Sequence, residues 1–76
     1  MRLIGTAGMV NSPMVSRAEL SSMSTAISEL AARVTTAADE MVGGPLESVA
    51  VDLFEVERSL RTARRRLDAA AVDLPD

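Results

Sequence analysis

The stretch LSSMSTAISELAARVTTAADEM (residues 20–41), followed by VGGP (42–45) and LESVAVDLFEVERSLRTARRRLDAAAVDL (46–74), decides the fold. In the first part apolar residues step three and then four: Leu20, Met23, Ile27, Leu30, Val34, Ala37, Met41. In the last part the same step gives Leu46, Val49, Leu53, Val56, Leu60, Ala63, Leu67, Ala70 and Leu74, with a leucine at every seventh position. This spacing keeps one stripe of a helix turned toward a partner helix, and a β-strand cannot use it. Two ladders on either side of a Gly-Gly-Pro break predict an all-α fold, an antiparallel two-helix hairpin of coiled-coil type.

The helix ends are marked as well. Ser16-Arg17-Ala18-Glu19 fits a capping box, with Val15 and Leu20 in the staple positions. Gly43 and Gly44 supply a left-handed stop, and Pro45 suits the first position of a new helix. The predicted layout is a hairpin over 16–74, with helices over 17–42 and 45–72 and a turn at 43–45. Residues 1–15, broken by Gly5, Gly8, Asn11 and Pro13, read as an extended or disordered arm. The arm's Leu3, Ile4, Met9, Val10, Met14 and Val15 are too many apolar residues for a purely solvated tail, and part of the arm is expected to lie back on the hairpin or on a partner.

Seventy-six residues make one small domain. A lone helix pair has one buried seam and wet outer faces, so oligomerisation into a four-helix bundle is the expected completion. There is one aromatic residue, Phe54, and no cysteine or histidine. Disulfides and His/Cys metal sites are thereby excluded, along with the commonest general base and thiol nucleophile. No apolar run approaches the roughly 20 residues that span a bilayer. The first ten residues make no convincing signal peptide. The expected address is cytoplasmic. The net charge of −3 argues weakly against a surface devoted to nucleic acid. All eight basic residues are arginine, a usage associated with GC-rich genomes such as those of actinobacteria.

No arrangement of residues suggests catalysis. Close carboxylate pairs lie along helices among arginines, and a hairpin has no pocket in which to desolvate one. No catalytic, cofactor or metal residue is therefore assigned, and the chain is read as a non-enzyme. The leucine heptad would make a DNA-binding zipper only behind a basic region, whereas Asp39-Glu40-Met41-Val42-Gly43-Gly44-Pro45 is acidic and helix-breaking. The cluster Arg58, Arg61, Arg64, Arg65, Arg66 is the strongest charge feature, and Arg58, Arg61 and Arg65 share a face that could contact an anionic partner. Glu57–Arg61, Glu55–Arg58 and Arg65–Asp68 stand at helical pairing distances, which favours a solvated ion-paired face.

Two features point to an interface. Ser24, Ala31 and Ala38, seven apart, form a small-residue flank that would let another helix approach closely. Val51 and Phe54 fall outside the ladder, with Val42 near the turn, and an exposed phenylalanine between valines is usually covered. A tight turn also sets Arg33 opposite Asp52 and Glu19 opposite Arg66 as complementary pairs beside the seam, with Leu20 near Leu67 and Val34 near Leu53.

The hairpin from Ser16 onward resembles the WXG100 family. Met41-Val42-Gly43 stands where that family has Trp-x-Gly, and Val72-Asp73-Leu74-Pro75-Asp76 keeps the spacing and acid of its C-terminal Tyr-x-x-x-Asp/Glu signal. Both aromatic hallmarks are absent. The resemblance implies a leaderless hairpin that pairs as a four-helix bundle and leaves actinobacterial cells by type VII secretion. The functional expectation is a protein–protein interaction module without cofactors, pairing with itself as a homodimer or with a helical protein partner. The alternatives are a nucleic-acid-associated regulator using Arg58–Arg66 and a WXG100-like secreted pair member.

Overall fold

The computed structural model describes residues 15–74, so the predicted arm lies outside the described residues except for Val15. Within them the chain forms two helices packed on each other, α1 (Arg17–Met41) and α2 (Glu47–Val72). The hairpin expected from the two ladders is present.

Ser16 starts α1 as the capping box requires: its hydroxyl accepts from the Glu19 amide at 3.2 Å. At the other end Gly43 has φ +80°, the left-handed conformation that glycine enters without cost. The Gly44 amide donates to Met41 and the Glu47 amide to Gly44, at 3.2 and 3.3 Å, and these bonds tighten the connection. Pro45 and Leu46 belong to this turn, so α2 begins two residues later than predicted, with Leu46 as its cap and no side-chain cap bond.

The seam is centred elsewhere than the ladders predict. The buried residues are Ser24, Ala31 and Ala38 on α1 and Ala50 on α2. Among the described residues no large side chain is fully buried. On α1 the contact line is therefore the small-residue row that the sequence places at a flank. Its counterpart on α2 is the sevenfold row of Ala50, Glu57, Arg64 and Ala71, all buried or half-buried. The small residues of α1 leave room for α2 to pack against that row, with Ala50 buried opposite it near the turn, a contact that bulky residues at the centre would prevent. Leu20, Ile27, Val34 and Met41 then reach in from one side only, as do Leu53, Leu60 and Leu67, and all stay half-buried.

Candidate interaction surface

Reversing one helix of a pair mirrors its wheel, so equivalent positions of α1 and α2 fall on the same edge of the seam. Residues four beyond the central row (Ser28 and Thr35 on α1, Phe54, Arg61 and Asp68 on α2) lie on one edge. Residues one before it (Met23, Leu30 and Ala37 on α1, Val49, Val56, Ala63 and Ala70 on α2) lie on the other. Except for Phe54 near the turn, the two edges differ in chemistry.

The first edge is polar and bonded within the chain. Ser24 donates its hydroxyl hydrogen to Asp68 at 2.8 Å, and Arg64 donates to the Ser28 hydroxyl at 3.0 Å. Arg64 Nε lies 4.0 Å from the Asp68 carboxylate, an ion pair too long for a hydrogen bond, and this buried nitrogen has no hydrogen-bond partner. Glu57 accepts from Arg61 one turn on. Arg17 extends the same pattern beyond the ends of the helices, donating to the carbonyls of Leu74 and Val72 at 2.8 and 3.2 Å. A cavity of about 80 Å³ opens here among Ile27, Ser28, Ala31, Leu60, Arg61 and Arg64. It has room for a few waters and falls well under the roughly 300 Å³ of small ligand pockets.

The second edge is apolar and open. Met23 and Leu30 are 41% and 43% exposed, and Val49 and Val56 38% and 44%. Together with the half-buried leucines behind them they make one continuous face spanning both helices. Nothing among the described residues lies over it.

The residues singled out in the sequence divide accordingly. Ser24, Ala31 and Ala38, expected to meet another chain, are used inside the hairpin against α2. Val42 and Val51 are exposed at 53% and 58%, while Phe54 is half-buried against the polar edge rather than standing clear of the seam. Arg58 pairs with Glu55 at 3.9 Å, Arg61 with Glu57, and Arg65 donates to Thr62 at 3.3 Å. The partner of Asp68 is Arg64, not Arg65 as its spacing suggests, because residue 64 faces the seam. Neither Arg33–Asp52 nor Glu19–Arg66 is among the ion pairs of the described residues. The Ser24–Asp68 and Ser28–Arg64 bonds bring Arg33 near the level of Ser59 and Glu19 near that of Asp73, about seven residues from the expected partners, so the tight register with Leu20 near Leu67 and Val34 near Leu53 is not the one formed. Sequence reasoning found every residue of that face and assigned it to the intrachain seam.

Among the described residues no helix is long and apolar enough to cross a membrane, and no group of three or more His, Cys, Asp or Glu could hold a metal ion. Comparison with protein-family models, with curated proteins and with solved structures finds no match.

Proposed function

We propose that this chain is a non-enzymatic interaction module, a helical-hairpin subunit whose work is to pair through the face carrying Met23, Leu30, Val49 and Val56. One observation carries the reading: among the described residues the buried side chains are three alanines and a serine, while each described leucine and methionine is at least partly exposed. Burial of apolar area at about 25 cal/mol per Å² is the main force opposing chain entropy, and a seam of alanines supplies little of it. The area still available lies on one face, as it does on a helix pair that forms half of a bundle.

The arginine cluster supports a nucleic-acid role less well, since Arg58 and Arg61 already hold carboxylates on their own helix. A lysine in place of Leu30 or Val56 tests the proposal. On a face that stays wet, either change leaves helicity and melting within about 0.5 kcal/mol of wild type. On a pairing face, Leu30→Lys strands a charge in an apolar contact, and at tens of micromolar it should abolish association and most of the circular-dichroism helix signal. Unchanged helicity and hydrodynamic size in both variants would reject the proposal.

A further inference from the structure

We propose that the apolar face closes on a second copy of this chain, with α1 of one copy lying antiparallel along α2 of the other. This rests on the reading of the hairpin as a pairing subunit and names its occupant. The Ser24–Asp68 and Ser28–Arg64 bonds fix which residues stand at one level across the antiparallel pair. To within one residue of that count, Met23 stands level with Ala70, Leu30 with Ala63, and Ala37 with Val56. Bulk is thus concentrated on α1 toward the free end and on α2 toward the turn, with alanines opposite each.

The face is raised along one diagonal and hollow along the other. A two-fold rotation about an axis parallel to the helices places α1 over α2 of the second copy at the same level. Met23 then meets Ala70, Leu30 meets Ala63, and Val56 meets Ala37, each large side chain seated over a methyl. A surface so matched to its own rotated image is what an isologous contact requires.

The area agrees. Helices of 25 and 26 residues are roughly 38 Å long, and two side by side cover roughly 700 Å². Two copies would bury about 1,400 Å² in total, within the range of stable specific interfaces. The rim opposes rather than assists, because Glu40 of one copy comes level with Asp52 of the other. Association therefore tightens as salt screens that repulsion.

Sedimentation equilibrium of the full chain, of Leu30→Ala, of Ala63→Leu, and of the two variants mixed in equal amounts tests the proposal. The wild type should run with the mass of two chains at tens of micromolar, and each variant alone should associate at least tenfold more weakly. The mixture should recover, because in the mixed pair every leucine again meets an alanine. A wild-type pair whose variants show no preference for each other, or one that loosens with salt, would overturn the inference and leave the pairing role intact. A wild-type monomer with little helix would also remove the second copy, leaving a different helical partner to complete the fold. A monomer that is fully helical and melts cooperatively would remove both the inference and the proposed function.

Discussion

One edge of the seam is closed by contacts within the chain, and the other presents leucine, methionine and valine that no part of the described chain covers. On the polar edge Arg64, Ser28, Asp68 and Ser24 find one another across the helices, and the Glu57–Arg61 pair lies along α2. On the apolar edge the half-buried leucines continue outward into Met23, Leu30, Val49 and Val56. Hydrogen bonds and ion pairs of this kind contribute about 1 kcal/mol each or less, so the polar edge sets register more than it supplies stability. The apolar edge holds most of the hydrophobic area that folding could use. A hairpin made this way specifies its own alignment and leaves its stabilisation to what lies on the other side.

The largest effect is expected where the two edges meet. Ala38 is fully buried between the backbones near the turn, so Ala38→Leu should push the helices apart and cost about 1–3 kcal/mol, read as a lowered melting temperature. A neutral result would mean that the helices do not approach over their small row. Phe54→Asp sharpens the contrast from the other side. Phe54 is half-buried on the polar edge, away from the pairing face, so its loss should cost about 1–2 kcal/mol, and at concentrations where the variant is fully helical its mass should equal that of the wild type. Dissociation of this variant would move the interface to the edge of Val51 and Phe54.

The elements themselves were legible in the sequence. The three-four ladders, the Ser16–Glu19 box and Gly43 each impose a local geometry that needs no knowledge of the rest of the chain, and the helices start and stop close to where those signals place them. The orientation of the seam was not legible. A ladder such as Met23, Ile27, Leu30, Val34 spans two neighbouring stripes, and its spacing is the same whether the stripe faces the nearest helix or the axis of a larger bundle. Ser24, Ala31 and Ala38 carry so little hydropathy that they read as a flank, although it is their small size that draws the partner backbone closest. The cross-helix bonds of Ser24 and Arg64 depend on register, which periodicity alone leaves open. The complementary pairs Arg33–Asp52 and Glu19–Arg66 pointed to a register about seven residues from the one the cross-helix bonds set.

The most direct test of a hairpin that depends on its uncovered face is the thermal melt of the wild type followed by circular dichroism over a hundredfold range of concentration. A chain that folds as it pairs melts at a temperature that rises with concentration, by mass action. That rise is the expected result, together with little helix at the most dilute end. A cooperative melt at one temperature across the whole range, with full helicity when dilute, would contradict it.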